Sequence, residues 1–252
     1  MVAKKTLEEK ITNFYRSCES YFAMMERTHH LSNYQPIFRI LKEKRVTFKN
    51  KKVLDVGSGS GSFLKLLKKK YQNGFKAVGT DISPLGRRYH QEKKIDFVLA
   101  DARKLPFKAS SFDFVFSIDI LEHLLKPEQA VLEMFRVTKK KGLILIRTRN
   151  YRSPLTTFSP FSILGTFGNF LGKKKDLSQT KTLVPELAAK GGDKDAVAAI
   201  MADQFLNSLN KIPGEVLVFE TWTKGGPWKI FNQIPMIKYL GSMCLVLFRK
   251  EG

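Results

Sequence analysis

The feature that most constrains this fold is a short strand that ends in three alternating glycines. Residues 53–63 have the sequence Val-Leu-Asp-Val-Gly-Ser-Gly-Ser-Gly-Ser-Phe, in which apolar residues precede the glycines and a helix-compatible segment follows them. Glycine permits a tight turn and lets a ligand approach the backbone without a Cβ in the way. In open α/β sheets such a loop lies at the carboxyl end of a strand, where ligands bind. The pattern therefore predicts an α/β protein with a ligand site at the glycine loop that follows the first strand.

The glycine spacing and the nearby acids narrow the kind of ligand. Ser62 occupies the third glycine position of the dinucleotide pattern Gly-x-Gly-x-x-Gly. Asp55 precedes the first glycine, and a carboxylate there suits a cationic ligand better than a pyrophosphate. Asp81 ends the second predicted strand, where an acid can accept both hydroxyls of a ribose. Asp101 follows the third strand, where its carboxylate could accept from an adenine amino group.

Short apolar segments alternate with helical ones through the middle of the chain. Such alternation is typical of a parallel sheet with helices on both faces, joined by right-handed crossovers. Two later segments regain strand character and would complete the sheet. We predict a doubly wound, Rossmann-like α/β fold with seven mostly parallel strands, formed by residues 46–150 plus 213–252. The predicted strands are 52–56, 77–81, 97–100, 112–117, 143–146, 216–223 and 242–248.

The segment before this core is predicted to be helical. Apolar residues spaced three or four apart from Leu7 to Met25 predict one amphipathic helix of about five turns. Pro36 suits the first turn of a second helix over residues 36–44. We therefore predict that residues 1–45 form an N-terminal helical cap on the core.

The stretch between the fifth and sixth predicted strands departs from this rhythm. Its residues 153–172 contain no charged side chain. That composition suits the wall of an apolar pocket, an interfacial contact with a membrane, or an ordinary buried helix. We predict that residues 151–212 form an inserted helical lid that selects the substrate. Asp193 would be the N-cap of a helix that carries Val197, Ile200, Met201 and Phe205.

Five motifs of the core occur in a fixed order. They are VLDVGSGSG, VGTDIS, ADARKLPF, SFDFVFSIDILEHL and GLILI. Together they resemble the class I S-adenosylmethionine-dependent methyltransferases, and are most similar to the small-molecule branch of the ubiquinone and menaquinone biosynthesis type. The resemblance covers about residues 46–150. It implies S-adenosylmethionine as the cofactor and methyl transfer by in-line displacement, and the lack of clustered Cys and His residues predicts no metal site.

The resemblance also implies a cofactor site made of strand ends and the loops that follow them. The glycine loop would hold the methionine part, the second strand end the ribose, and the third the edge of the adenine. The fourth strand end would form the floor near the sulfonium. In that order the residues are Asp55, Gly57, Ser58 and Gly59; Asp81, with Ile82 against the adenine; Asp101 and Ala102; and Ser117.

A catalytic base is needed only for some acceptors. Alignment of an activated methyl group supplies most of the catalysis, and a base helps when the acceptor is a hydroxyl or an acidic carbon. His123 follows the fourth strand and is the first candidate, although its role could instead be to support the loop. Asp119 is the second candidate because it lies nearer to Ser117. His29 and His30 follow the first helix and either line the site or lie in an exposed turn.

The chain is strongly basic. It has 44 Lys or Arg and 23 Asp or Glu residues, a formal charge of +21, of which +11 falls in residues 51–150. This excess predicts either attraction to a polyanion, RNA or an anionic membrane, or lysines placed at the negative ends of helix dipoles. Because acids mark the cofactor site, the basic excess should lie on the outer helices and their ends.

Composition and the resemblance together define the expected function. Two cysteines exclude a disulfide scaffold and favour a reducing compartment. Neither a signal peptide nor a spanning apolar run of about 18 residues is evident. We expect a cytoplasmic protein, or one in peripheral contact with a membrane. Its expected activity is methyl transfer to a small-molecule, lipid-like acceptor. The alternatives are an RNA methyltransferase that uses its basic surface and a non-catalytic, methyltransferase-like binding protein.

Overall fold

A computed structural model describes most of the predicted core. It covers residues 6–72, 74–150, 196, 198, 200–222 and 241–252. Its strands follow the predicted positions closely, and the fifth is longer than the sequence indicated. The strands are β1 (Lys52–Val56), β2 (Lys76–Asp81), β3 (Asp96–Leu99), β4 (Phe112–Ile118), β5 (Thr138–Arg149), β6 (Gly214–Trp222) and β7 (Met243–Lys250).

The seven strands form one twisted sheet. Their spatial order is β3-β2-β1-β4-β5-β7-β6. The pairs from β3 through β5 are parallel, whereas β7 runs antiparallel to both β5 and β6. The predicted doubly wound, mostly parallel sheet is therefore confirmed. The last two strands form an antiparallel pair that completes it.

Helices cover both faces of this sheet, so its central strands are apolar on both sides. In β4, Val115 packs into the apolar cluster on one face and Phe116 into the cluster on the other. The helices are α1 (Leu7–Ser17), α2 (Glu19–Thr28), α3 (Gln35–Glu43), α4 (Ser62–Lys70), α5 (Gly86–Glu92), α6 (Pro127–Val137) and α7 (Ala202–Leu209), with 3₁₀ turns at Leu31–Tyr34 and Leu121–His123. None of these described helices is both long and apolar enough to cross a membrane.

The prediction of one N-terminal helix of five turns is wrong, because the helix breaks at Cys18. This residue has φ −84° and ψ 83°, and it ends α1 and begins α2. The break brings the ring of Tyr21 to 5.8 Å from Phe14 and 5.5 Å from Tyr15. In a continuous helix seven residues span roughly 10 Å along the axis, so Phe14 and Tyr21 could not meet. The aromatic contacts thus form across the break between α1 and α2, where a continuous helix was predicted.

The helix expected to follow Asp193 begins later than predicted. Asp193 lies outside the described residues, as does the uncharged segment 153–172, and α7 begins at Ala202. The first amide of α7, that of Ala202, donates to Oδ1 of Asn150, 3.1 Å away. The side-chain amide of Asn150 in turn donates to the carbonyl of Gly241 at 2.7 Å. The start of α7 is therefore fixed by the end of β5 and not by a local cap.

Candidate active site

A cavity of about 300 Å³ opens where the parallel strands end. The loops after β1, β2, β3 and β4 form one side of it, and α1 and α2 cover the other. Of the eleven site residues predicted from the sequence, ten lie in its lining. They are Asp55, Gly57, Ser58, Gly59, Asp81, Ile82, Asp101, Ala102, Asp119 and His123.

The backbone conformation favours glycine at two positions of the loop, and both are closely packed. Gly57 has φ 73° and Gly59 has φ 53°, a region that favours glycine. A Cβ on Gly57 would lie 2.2 Å from Cγ2 of Ile120, and one on Gly59 would lie 2.6 Å from Cε of Met25. The loop is therefore packed on one side by the segment after β4 and on the other by α2.

Asp81 holds the glycine loop and the next loop together. Its Oδ2 accepts from the amide of Gly59, and its Oδ1 accepts from the amide of Ser83, both at 2.9 Å. Hydrogen bonds to a charged acceptor are stronger than those between neutral groups. One carboxylate at the end of β2 thus fixes the backbone on two sides of the cavity.

Asp55 is a buried acid with one carboxylate oxygen that lacks a hydrogen-bond partner in the described chain. Only 2% of it is exposed, and its Oδ1 has no hydrogen-bond partner among the described residues. Burial and the neighbouring charge of Asp81 raise the pKa of this carboxyl well above its usual value. A cationic ligand group would satisfy the oxygen and return the pKa towards normal. This observation fits a cofactor that carries an ammonium and a sulfonium.

Asp101 is engaged by an arginine that also reaches the N-terminal helices. Both of its carboxylate oxygens accept from the Arg103 side chain, the shortest contact being 2.6 Å. Although burial acts in the opposite direction, these bonds lower the pKa of Asp101. The same guanidinium lies 2.7 Å from Glu8 of α1. Arg103 therefore fastens the cap to the loop after β3.

Asp119 is paired with a buried arginine. Its oxygens accept from Nε and Nη2 of Arg147 at 2.9 and 2.5 Å. Arg147 also donates to the carbonyl of Asn33 at 2.6 Å and lies over the ring of Tyr34. Because a guanidinium occupies both oxygens, this carboxylate is suited to positioning and not to accepting a proton.

Two histidines face the cavity. His123 lies in the 3₁₀ turn after β4, with its ring 6.0 Å from that of Tyr15 in an edge contact. His29 ends α2, and its Nδ1 lies 2.9 Å from the hydroxyl of Tyr34. Of the two positions weighed for the His29–His30 pair, the structure gives His29 a place in the lining, while His30 is exposed.

Ser117 is the predicted site residue that the cavity does not include. It is fully buried in β4, where it pairs with Val56 on one side and Ile146 on the other. Side chains alternate along a strand, so its neighbour Ile118 lines the cavity instead. The Ser117 hydroxyl has no hydrogen-bond partner among the described residues.

Sequence reasoning also missed a buried histidine that supports the glycine loop. The Nδ1 of His90 donates to the carbonyl of Gly86 at 2.8 Å, and its Nε2 lies 3.0 Å from Oγ of Ser58. In the neutral ring Nε2 accepts from that hydroxyl. His90 is fully buried, and burial lowers its pKa below 6.5.

This histidine predicts a pH dependence of stability. Its lowered pKa means that the unfolded chain binds the proton more readily, so its contribution is complete above pH 6.5 and is lost as the pH falls. We expect the free energy of unfolding, measured in urea, to decline below pH 6.5 by up to about 1.4 kcal/mol per pH unit from this group. His90→Gln should flatten the decline, and the exposed control His30→Gln should not. Equal slopes in all three proteins would contradict the assignment.

Fold and site together define the class of this domain. Residues 54–146, which include the glycine loop and the acids at the strand ends, match the family profile described as "Methyltransferase domain". This segment thus matches a methyltransferase domain, and S-adenosylmethionine-dependent methyltransferases of known structure share its fold.

Curated relatives match this part of the chain. Norajmaline N-methyltransferase of Rauvolfia serpentina is 31% identical over 113 residues, 42% of this chain and 38% of that protein. Chloroplastic tocopherol O-methyltransferase of Arabidopsis thaliana is 33% identical over 44% of this chain and 33% of its own length. Demethylmenaquinone methyltransferase of Renibacterium salmoninarum is 33% identical over 46% of both chains. The match thus spans less than half the length of each of these three relatives.

Solved structures share the fold over nearly the whole chain. A chain of the complex between the Trm112 methyltransferase activator of Haloferax volcanii and a putative methyltransferase aligns with a TM-score of 0.64 and 14% identity. It covers 96% of this chain and 98% of that one. A SAM-dependent methyltransferase of Archaeoglobus fulgidus aligns with a TM-score of 0.58 and 16% identity, over 91% and 99%.

Proposed function

We propose that this protein transfers the methyl group of S-adenosylmethionine to a small, lipophilic acceptor. The observation that carries the proposal is the division of the cavity into two kinds of lining. The strand-end loops contribute glycines and carboxylates, whereas the cap and the segment after β4 contribute apolar and aromatic side chains. The latter include Ile11, Tyr15, Tyr21, Leu124 and Leu125.

We assign the cofactor to the first of these regions. Asp55 receives the ammonium of the methionine part, because its buried oxygen lacks a partner in the described chain. The glycine loop, with Gly57, Ser58 and Gly59, faces the same part, and Asp81 accepts from the ribose. Ile82, Asp101 and Ala102 border the adenine. When bound, the cofactor supplies an activated methyl group, so the residues of this chain have to align the acceptor and exclude water.

The apolar and aromatic region of the cavity indicates the polarity of the acceptor. Tyr15 and Tyr21 of the cap line the cavity, and Leu125 lies at the cavity with part of its side chain exposed. Such surfaces favour a largely apolar molecule with few polar groups. The curated relatives are named for ajmaline-type, tocopherol and menaquinone acceptors, all of them small organic molecules.

An RNA acceptor fits this cavity less well. Its lining includes five carboxylates and two guanidinium groups, and α1 and α2 cover it. A polyanion entering the cavity would meet like charges, which oppose binding. The acids are Glu8, Asp55, Asp81, Asp101 and Asp119, and the guanidiniums are Arg103 and Arg149.

We assign the base, where the acceptor requires one, to His123. Asp119 is held by Arg147 and contributes to positioning. We expect His123→Gln to lower kcat by about 100-fold at neutral pH, within the usual range for loss of a general base, and to leave cofactor affinity unchanged. The exposed control His30→Gln should retain full kcat. An unaltered kcat and pH profile in His123→Gln would exclude His123 as the base.

The activity itself is tested in two steps. Calorimetry with S-adenosylmethionine first measures cofactor binding. Transfer of a labelled methyl group is then measured with quinol, prenylated phenol and amine acceptors, with and without anionic liposomes. Transfer to a member of this panel supports the proposal. Cofactor binding without transfer to any of them would overturn the acceptor class, and an absence of cofactor binding would favour a non-catalytic scaffold.

The cysteines support a cytoplasmic location, which we include in the proposal. Cys18 and Cys244 are both free thiols. Cys244 is fully buried in β7, and burial raises the pKa of its thiol to about 12. A thiol of this kind remains protonated and unreactive. Free thiols of this kind suit a reducing compartment.

A further inference from the structure

Among the residues that the structure describes, the positive charge is concentrated at one end of the fold. In a doubly wound sheet the parallel strands begin, and the helices between them finish, at the end opposite the ligand cavity. The segments at that end carry 20 Lys or Arg and 5 Asp or Glu residues, a net charge of +15. We call it the basic end. It consists of residues 42–52, 68–72, 74–76, 93–96, 108–113, 136–141, 211–215 and 249–252.

Contacts across the basic end show that these segments adjoin one another. Lys51 lies just before β1, and Lys139 lies at the start of β5. Their ammonium groups both pair with Asp113, at 3.7 Å for Lys51 and 2.9 Å for Lys139. Lys68 at the end of α4 donates to the carbonyl of Lys94, which follows α5, at 3.1 Å. Strand pairing also places Lys52 beside Lys76 and Gly214 beside Lys250, so these segments follow one another along the edge of the sheet and share few carboxylates.

Helix dipoles account for only part of this arrangement. Lys69 and Lys70 lie in the last turn of α4, where a cation is favoured. Lys140 and Lys141 are exposed residues of β5, and strands have only small net dipoles. Burial and then the charge of Lys140 lower the pKa of Lys250. The clustering is therefore repulsive, and a bound polyanion would relieve that repulsion.

We propose that the basic end binds the phosphate backbone of nucleic acid. Its charge and continuity suit contact with several phosphates at once, which gives sequence-independent binding. The cavity lies at the other end, with five acids and two guanidiniums in its lining. The nucleic acid is consequently a docking partner and not the methyl acceptor. This inference does not depend on the proposed acceptor, because it concerns a separate surface.

The alternative polyanion, an anionic membrane, is less well matched. Peripheral membrane binding combines basic side chains with apolar groups that enter the bilayer. The large apolar side chains that the described chain exposes are Leu31, Leu99, Leu125 and Leu132. Three of them lie at the cavity end and Leu132 lies within α6, so the described part of the basic end presents charge alone.

The test is binding of a short labelled RNA duplex to the full chain at increasing salt, measured by fluorescence anisotropy. We expect a steep decline of affinity with salt. Lys140→Gln with Lys141→Gln should weaken binding by about tenfold and make the salt slope shallower by about 2, one per lost phosphate contact. The control pair Lys10→Gln with Lys126→Gln removes the same charge at the cavity end and should bind RNA like the wild type.

Two further measurements make the result decisive. Cofactor affinity should be equal in the wild type and in both double variants, which shows that folding and the active site are intact. A salt-independent affinity, or wild-type RNA binding by the Lys140 and Lys141 variant, would overturn the proposal. Vesicles of phosphatidylglycerol and phosphatidylcholine form the third arm. Binding to these vesicles without binding to RNA would also overturn it and would assign the surface to a membrane.

Discussion

Replacing Asp81 with alanine is expected to weaken S-adenosylmethionine binding by about 1,000-fold. The change removes the acceptor for the amides of Gly59 and Ser83, each 2.9 Å from a carboxylate oxygen. Hydrogen bonds to a charged partner contribute about 1.5–3 kcal/mol each, and about 1.4 kcal/mol corresponds to tenfold in affinity. The proposed hydrogen bonds from the two ribose hydroxyls to the same carboxylate are lost as well, and they account for most of the expected loss of affinity. Calorimetric titration of the cofactor measures the effect.

Two further variants define the cause of the Asp81 effect. Asp81→Asn keeps an acceptor for one of the two amides and should fall between the wild type and the alanine variant. Asp96→Ala removes an exposed carboxylate on the neighbouring strand β3, at the basic end, and should leave cofactor affinity unchanged. If Asp81→Ala bound the cofactor within tenfold of the wild type, the assignment of Asp81 to the cofactor site would be wrong.

Replacing Arg147 with methionine is expected to lower the free energy of unfolding by about 2 kcal/mol, the usual cost of leaving hydrogen-bond acceptors without their donor. Arg147 is only 6% exposed, and it joins Asp119 to the carbonyl of Asn33. Without it, the carboxylate of Asp119 and a backbone carbonyl of the 3₁₀ turn lose their cationic partner. Urea denaturation measures the change.

The Arg147 prediction has a matched control in the same sheet. Arg249 of β7 pairs with Glu215, but its side chain is 50% exposed, so Arg249→Met should cost less than about 1 kcal/mol. Adding Asp119→Asn to Arg147→Met should recover part of the loss, because the unpaired charge is then absent. Equal effects of Arg147→Met and Arg249→Met would show that the buried pair is not an important source of stability.

Much of the fold was predictable because its determinants are local in sequence. Runs of apolar residues marked the central strands, since parallel strands there are buried on both faces. The three glycines from Gly57 to Gly61 marked a turn that needs positive φ, and the structure gives all three that conformation. The placement of Asp55 and Asp81 beside this turn followed from the common direction of parallel strands. The sheet therefore carried ten of the eleven predicted site residues to one cavity.

The features that the sequence does not predict depend on contacts between residues that are far apart along the chain. Glu8 meets Arg103 across 95 positions, and Asn150 fixes the first amide of α7 across 52. No periodicity signals such contacts, because they depend on where whole elements pack. The break at Cys18 escaped for a related reason: apolar spacing continues through it, while the aromatic contacts that favour it are tertiary.

The prediction that Ser117 lines the cavity was wrong because side chains alternate along a strand. Ser117 was expected at the cavity because it lies near the end of β4. Its side chain is instead fully buried, and that of Ile118 lines the cavity. Conversely, His90 lies outside every motif, although it contacts Ser58 of the glycine loop. Its signal was a polar residue on a short helix, which a single sequence cannot distinguish from a surface position.

The ion pair between Glu8 and Arg103 has a consequence for the lifetime of bound molecules. It is one of the contacts that hold α1 over the cavity, and the Glu8 side chain is half-exposed. An exposed pair of this kind contributes less than about 1 kcal/mol and weakens as salt rises. This ion pair therefore contributes little to holding α1 over the cavity. We expect ionic strength to change the residence time of whatever occupies the cavity, through the hold on α1, more than the chemical step itself.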